Sequence, residues 1–481
     1  MTKRGVPANT VRPLWLAGES RVGNERIEVT DKFTGASAGA VARADAAMVA
    51  AAIDAAVAAR DSMTDLPAWR RRDLLAEVAN RIESLRAEFA DLLVIEVGKT
   101  IADAHGEITR AVDTFRTAAE EATRIAGEQL PLDVTPRAGR AQGIVRRFPV
   151  GVAGLITPFN FPLNLVAHKV APAIAAGCPF VLKPASTTPG PALLLGRILS
   201  ELELPRGAFS ILPAASSDIA ALIDDPRVAL LSFTGSAEVG WQLRARAAKK
   251  RHVTLELGGN AACIVDEGTD IDSAAERITF GAFYQAGQSC ISVQRVLAHR
   301  SIAGALRDRL VERTRALRMG DPFDETTDVG PLIDPREAER ITAWIREAVA
   351  RGARVLCGGR RDGAMVEPTI LEGAPTDSAI HCEEVFGPVT TFETFDDFDD
   401  ALNRANAGRF GLQAGVFTDS LEHALRAHER LEVGGVVIGD VPSFRIDAMP
   451  YGGARESGVG REGLRYAIAE MTEPRLLLFR R

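Results

Sequence analysis

The sequence predicts an α/β fold with two parallel-sheet units and a small projecting β element. From 151 to 257, apolar runs at 152–156, 180–182, 209–212, 229–233 and 253–257 alternate with helical stretches opening near Pro162, Pro189, Ser217 and Ala237. Near-continuous apolar strands separated by helices require a parallel sheet covered on both faces. The alternation resumes with strands at 262–265, 293–299, 388–392, 414–417 and 434–439 and helices at 271–285, 302–317, 335–350, 397–406 and 419–430. The third observation is bulk composition: 481 residues, 46% hydrophobic and 25% charged, an ordinary globular balance with enough chain for two or three domains.

In chain order, short alternating pieces such as Arg26-Ile-Glu-Val-Thr, punctuated by Gly18, Gly23 and Gly35, predict an opening β-meander over 15–35. The Ala-rich run over 40–60 is interrupted by Arg43, Asp45, Asp54 and Arg60 at helical spacing, so it reads as an amphipathic helix rather than a membrane span. Leu74, Val78, Ile82, Leu85, Phe89, Leu92 and Leu93 place one apolar stripe toward a core. A further helix over 107–126 closes at Gly127. Pro131, Pro136, Gly139 and Gly143 then mark 128–150 as a hairpin leaving the main body. At the far end, Glu473-Pro-Arg-Leu-Leu-Leu-Phe479 is a strand too apolar to stand alone, and it is expected to pair, with another subunit as one candidate.

The net charge of −7, from 64 acidic and 57 basic residues without a basic stripe, argues against nucleic acid as a partner. Cysteines at 178, 263, 290, 357 and 382 form no C-x-x-C pair and no metal-ligand spacing, so no metal is expected and a reducing, cytoplasmic compartment fits. Met1-Thr-Lys-Arg-Gly-Val-Pro has no apolar segment behind its charges, and a secretory signal is not expected.

Chemistry concentrates at the ends of strands. Cys290 sits in the small-residue loop Gly287-Gln-Ser-Cys290 between a helix and a strand, as a nucleophile or as a small buried hydrophobe. After Phe233, Thr234-Gly235-Ser236 opens a helix, which is either an anion site or an ordinary tight turn. Lys183 ends a strand and could reach a ribose or phosphate, or be merely solvated.

Five segments stand in a fixed order: Pro158-Phe159-Asn160-Phe161-Pro162, Phe233-Thr-Gly235-Ser236, Glu256-Leu-Gly258-Gly259-Asn260, Gly287-Gln-Ser-Cys290 and Glu383-Glu384-Val-Phe386-Gly-Pro388. In combination they resemble the aldehyde dehydrogenase superfamily, non-acylating branch, over essentially the whole chain. The resemblance implies a Rossmann-like doubly wound NAD(P)-binding domain from 1–127 and 151–256, and an α/β catalytic domain over 257–440. It also implies an oligomerisation element from 128–150 and 466–481 that makes a homodimer or homotetramer, with the tail strand joining a neighbour's sheet. By the same resemblance Cys290 attacks the aldehyde, Asn160 and the Cys290 N–H hold the oxyanion, and Glu256 activates the hydrolytic water. Each assignment has a physical reason. A thiolate attacks a carbonyl carbon well and leaves the ensuing thioester tolerably; one preorganised oxyanion donor is worth about 3–4 kcal/mol; and partial burial raises a carboxylate toward the range of a useful base.

For the cofactor, the resemblance assigns Lys183 to the adenosine ribose, Gly235 and Ser236 to the pyrophosphate, and Glu384 to the nicotinamide ribose with Phe386 beside it. Backbone around Ile156, Thr157, Phe159 and Leu257 completes that site. Ser186 stands where NAD-preferring members commonly carry Glu, so NADP use or dual specificity is expected. Phe159 replaces a common Trp. Arg465 falls where many relatives place a carboxylate near the water path, and Lys169 is a candidate accessory group there. Arg445, in Asp440-Val-Pro-Ser443-Phe444-Arg445-Ile-Asp-Ala-Met449-Pro-Tyr-Gly-Gly, is either a substrate-anion ligand or a structural ion pair, with Arg110 as a second candidate. The segment resembles that of the lactaldehyde, glyceraldehyde and phosphonoacetaldehyde branch and, more distantly, succinate-semialdehyde relatives, although Phe161 departs from the His common in phosphonoacetaldehyde enzymes. The expected substrate is thus a short polar aldehyde, neutral or anionic. Two other reactions are weighed. CoA-acylating chemistry is disfavoured by Glu256 as a hydrolytic base, and a cofactor-free thiol hydrolase by the lack of any recognisable motif around the seven histidines.

Overall fold

The computed structural model describes residues 11–247, 250 and 252–480. Two open sheets dominate it. The first runs Gly458–Val459, His252–Glu256, Val228–Thr234, Val152–Ile156, Phe180–Lys183, Phe209–Ile211, Leu14–Leu16, Glu19–Arg21, with the middle five strands parallel. Successive strands in the chain are laid down outward from Val152–Ile156 on one side and then, after a return, from Val228–Thr234 on the other. The order therefore reverses between those two strands, and a crevice opens at their carboxyl ends. Gly235 follows the second of these strands directly, and Asn160 comes four residues after the first.

Between the sheet and the helices Ala68–Ser84 and Ile101–Ala122 lies Asn164–Ala176, buried along its whole length. Enclosure on every side explains its apolar composition. It also means that His168 and Lys169, which it carries, must be paired inside the protein.

The second sheet has seven strands, in the order Arg354–Cys357, Thr369–Glu372, Val389–Phe395, Val293–His299, Ala261–Val265, Gln413–Phe417 and Gly435–Ile438. All but the antiparallel Arg354–Cys357 run parallel. Its faces are covered by two clusters, one around Phe283, Leu306, Ile341 and Phe392, the other around Phe395, Phe398 and Leu402.

Several expectations need correction. The stretch 15–35 is not one meander: Leu14–Leu16 and Glu19–Arg21 form a hairpin on the first sheet, while Arg26–Thr30 joins Ser37–Ala42 and Val11–Arg12 in a separate sheet. Arg354–Cys357 and Thr369–Glu372 were not expected, because each is four residues and the former is largely exposed, leaving little apolar pattern. After 440 the chain returns to the first sheet. Gly458–Val459 pairs with His252–Glu256, and Leu464–Glu470 packs on Asn164–Ala176 through Leu464 and Ile468. Residues 466–470, expected to go with the tail, are thus part of this helix. The tail strand Thr472–Phe479 finds its partner within its own chain, pairing antiparallel over eight residues with Gln142–Pro149, which also pairs with Glu128–Pro131. Among the described residues no helix is long and apolar enough to cross a membrane.

Candidate active site

A cavity of about 770 Å³ lies at the switch point. Phe159, Asn160, Gly235, Ser236, Glu256 and Leu257 reach it from the ends of first-sheet strands, and Cys290, Glu384 and Phe386 from the second domain. Arg110 and Arg445 line it as well. Ile156, Thr157, Lys183 and Ser186 are not in its lining. They stand beside it at the ends of two adjacent strands, where Ile156 pairs with Lys183.

The cysteine loop is bent by its backbone. After Ile271–Phe283, Gln285 (φ 51°), Ala286 (φ 53°) and Gly287 (φ 69°) are all left-handed, a conformation that costs a non-glycine residue on the order of 1–3 kcal/mol. Side chains from the first domain hold it there. Asp103 accepts the Gln285 N–H at 2.9 Å, and Lys99 donates to the Gln285 side-chain oxygen at 2.8 Å. Lys99, fully buried, also donates to the Asn160 carbonyl at 3.1 Å and is ion-paired with Glu107. The other Glu107 oxygen accepts the N–H groups of Leu163 (2.8 Å) and Asn164 (3.0 Å), the start of the buried helix. One ion pair thereby fixes the Asn160 peptide, the helix start and the cysteine loop. Gly259 is required for a related reason: a Cβ there would collide with the Cys290 carbonyl.

Cys290 Sγ lies 3.0 Å from Tyr451 Oη. Burial pushes its thiol up to about 12, the Tyr451 hydrogen bond pulls it down, and the Glu384 and Glu256 charges add to the rise. Asn160 donates one amide hydrogen to the Gln288 carbonyl at 3.0 Å, which fixes the amide plane, while its oxygen is buried without a partner among the described residues.

Glu256 is buried and neither carboxyl oxygen has a hydrogen-bond partner among the described residues. Burial, and next the neighbouring Glu462, raise its pKa well above the usual carboxylate range. Glu462 behaves oppositely. Burial alone would raise it, but Lys169 at 3.2 Å, His168 and Arg445 at 3.2 Å hold it low. Two buried carboxyl groups whose surroundings push their pKa values apart are the arrangement for a proton acceptor with an ionised neighbour. This corrects the Arg465 expectation: Arg465 is exposed on Leu464–Glu470, and the carboxylate comes three residues earlier in Gly460-Arg461-Glu462. That Gly-Arg-Glu run was the available signal. Lys169, the expected accessory group, is in place and also donates to Ser232 at 2.8 Å.

Arg445 is buried against this cluster. It stacks 3.7 Å from the Tyr451 ring centroid and its amino groups reach Glu462 and His168. Arg110 grips Asp447 with two hydrogen bonds, 3.1 and 2.6 Å, and its side chain remains 29% exposed. Burial would lift the Asp447 carboxyl, but the His168 hydrogen bond and the Arg110 charge keep it well below the ordinary range. Arg445 is therefore both an ion-pair member and a cavity wall.

The remaining polar groups fit a dinucleotide. Burial lowers the Lys183 pKa. Thr157 and Thr234 bury hydroxyls with no partner among the described residues, and Ser236 precedes the helix Ala237–Arg246 without capping it. A helix opening with free N–H groups favours a phosphate. Glu384 accepts the Gly259 N–H at 3.0 Å, and burial lifts its carboxyl to about 7. Phe159 and Phe386 meet edge to face at 5.7 Å. Ser186 donates to the Ala214 carbonyl at 3.2 Å and brings no negative charge.

A two-sheet α/β protein with a thiol, a perturbed carboxyl and a dinucleotide-shaped set of polar groups around one interdomain cavity is the class that fold and cavity define. The chain belongs to the aldehyde dehydrogenase family, whose profile matches residues 15–477. It is an enzyme that oxidises an aldehyde with NAD or NADP. It is 41% identical over 467 residues to the 3-sulfolactaldehyde dehydrogenase of Priestia aryabhattai, covering 97% of both chains. Among solved structures, aldehyde dehydrogenase 21 from Physcomitrella patens in complex with the reaction product succinate superposes with a TM-score of 0.97 at 46% identity, over 98% of each chain. The glyceraldehyde-3-phosphate dehydrogenase of Methanocaldococcus jannaschii complexed with NADP gives 0.91 at 35% identity, over 95% of this chain and 100% of that one.

Proposed function

We propose that the substrate is a short aldehyde bearing an anionic group, and that Cys290, Asn160 and Glu256 carry the reaction. The observation that supports this most is the pair of guanidinium groups on the cavity wall: Arg445 is buried against Glu462, whereas Arg110 keeps its side chain 29% exposed. Arg110 is the partly exposed member, and a guanidinium already oriented by Asp447 presents its remaining N–H groups to an incoming carboxylate or sulfonate. The relatives point the same way, one acting on a sulfonated aldehyde and another holding succinate.

In this reading the Cys290 thiolate attacks the carbonyl carbon, and the second amide hydrogen of Asn160, with the Cys290 N–H, receives the oxyanion. When bound, the nicotinamide dinucleotide supplies the hydride acceptor. Lys183, the Thr234-Gly235-Ser236 turn and Glu384 would hold it, with Leu257 and backbone around Ile156, Thr157 and Phe159 beside it. Glu256 then takes a proton from water as the water attacks the thioester, and its unpartnered oxygens leave it free to do so. Hydrolysis by Glu256 favours water over CoA as acyl acceptor. Ser186 removes the charge that would repel a 2′-phosphate, so NADP is used alone or beside NAD.

Two measurements test this. Arg110→Ala is expected to lower kcat/KM for a carboxylated or sulfonated aldehyde by tenfold or more (about 1.4 kcal/mol per tenfold) and to leave a neutral aldehyde of equal length nearly unchanged; equal losses on both would overturn the anion assignment. Parallel kinetics with NAD and NADP test Ser186, and a strong preference for NAD would reject it.

A further inference from the structure

We propose that Tyr451 is a catalytic residue whose hydroxyl donates a hydrogen bond to the Cys290 thiolate. The proposal rests on the assignment of Cys290 as nucleophile. The geometry carries it: Oη lies 3.0 Å from Sγ, within reach for a bond to sulfur, and Tyr451 is 3% exposed. The phenol is not free to turn elsewhere. Arg445 stacks 3.7 Å from the ring centroid, and the Tyr451 backbone is clamped to Glu462, donating to its carbonyl at 3.0 Å and accepting its N–H at 2.6 Å. Ile291 and Leu412 pack with the ring, with Cys290 at the edge of the same group.

The direction of the bond follows from the two acids. The phenol keeps its proton, because burial, and then the negative charge on Cys290, make it harder to ionise. A guanidinium on the face of the ring makes the O–H a stronger donor. Once the Cys290 proton has left to solvent, the only hydrogen between the two atoms is that of the tyrosine. In the attack, an Sγ lone pair forms the carbon–sulfur bond, the C=O π pair moves to oxygen, and Tyr451 retains its proton. When water later attacks the thioester, the carbon–sulfur bond breaks with its pair returning to Sγ, and the same O–H meets the departing thiolate. A hydrogen bond to an anionic sulfur lowers its basicity. It also makes each thiolate a poorer nucleophile, with a Brønsted slope of about 0.4–0.5. A tenfold gain in thiolate fraction is thus offset by an approximately threefold loss of reactivity, leaving roughly threefold net below the thiol pKa.

The experiment is the rate of Cys290 alkylation by iodoacetamide at pH 7.5 in three full-length enzymes: unaltered, Tyr451→Phe, and one carrying 3-fluorotyrosine at 451, whose phenol is the more acidic donor. The order expected is Tyr451→Phe slowest, by about threefold, then unaltered, then 3-fluorotyrosine fastest. Tyr451→Phe reacting like the unaltered enzyme overturns the proposal, and so does a slower Tyr451→Phe with no acceleration by fluorotyrosine, since mere packing does not follow phenol acidity. Cys290→Ser separates the two readings. If that variant still oxidises aldehyde, the nucleophile assignment falls; if it is inactive while the alkylation order is absent, only the role of Tyr451 falls.

Discussion

At the scale of the residue, the most informative contrast is between Glu256 and Glu462. They have the same side chain and similar burial, yet opposite pKa shifts, because Lys169 and Arg445 contact only Glu462. The kinetic consequence has a definite sign. A carboxyl whose pKa is raised is protonated over a wider acidic range and cannot accept a proton from water there, so hydrolysis of the thioester slows as pH falls through the raised value. Replacing Glu256 with Gln removes the proposed acceptor and leaves the proposed nucleophile, Cys290, in place. The expected outcome is a burst of close to one equivalent of reduced dinucleotide per active site, followed by turnover lowered about 10²–10⁴-fold and independent of pH across the former acidic limb. Stopped-flow absorbance reads both phases. Loss of the burst together with turnover would place Glu256 before thioester formation.

At the scale of the element, the site depends on a connection no motif displays. The Lys99–Glu107 pair lies on and before the helix Ile101–Ala122, far in sequence from both Asn160 and Gln285, yet it fixes all of them. Lys99→Met is expected to cost about 3–5 kcal/mol, since it leaves Glu107 buried and charged, and to lower kcat. Adding Glu107→Gln should restore part of the stability, read as Tm, without restoring kcat, because Asn160 and the left-handed turn stay unclamped. Full recovery of kcat in the double variant would reduce the pair to a stability role. This connection also marks what the sequence could tell. Most strands and helices of both sheets were legible because they are buried on both faces or striped at helical period, and Cys290, Asn160 and Glu256, which line one cavity, stood out as candidates because they occur in short fixed segments. Lys99 and Tyr451 did not, because their contacts reach across 61 to 186 residues of chain, from Lys99 to Asn160 and Gln285 and from Tyr451 to Cys290, while Glu462 had only the short Gly460-Arg461-Glu462 run as its signal. The edge strands Arg354–Cys357 and Thr369–Glu372 were missed for a simpler reason: too short to show a period.

At the scale of the whole molecule, the tail strand poses an unsettled balance. Thr472–Phe479 satisfies one edge through Gln142–Pro149, and in the sheet order it is terminal, so from Arg475 to Phe479 its other edge has no strand beside it among the described residues. Leu476, Leu477, Leu478 and Phe479 are 54%, 51%, 51% and 47% exposed. Successive strand residues point to opposite faces, so apolar surface is exposed on both sides at once, and Ile144 on the neighbouring strand extends it. An apolar, unpaired edge of this length is a pairing template unless something covers it. A second copy of the chain is the simplest cover, and Gly435–Ile438, the far edge of the second sheet with Ile438 43% exposed, is a matching free edge. The expected assembly is a dimer or tetramer. Leu477→Asp combined with Leu478→Asp charges both faces and should shift the enzyme toward monomer, as read by sedimentation velocity at micromolar concentration. No residue of 472–479 lines the cavity, so the initial rate per subunit should persist while the subunit stays folded. A monomeric unaltered enzyme at those concentrations would show that the tail is covered by something other than a second copy.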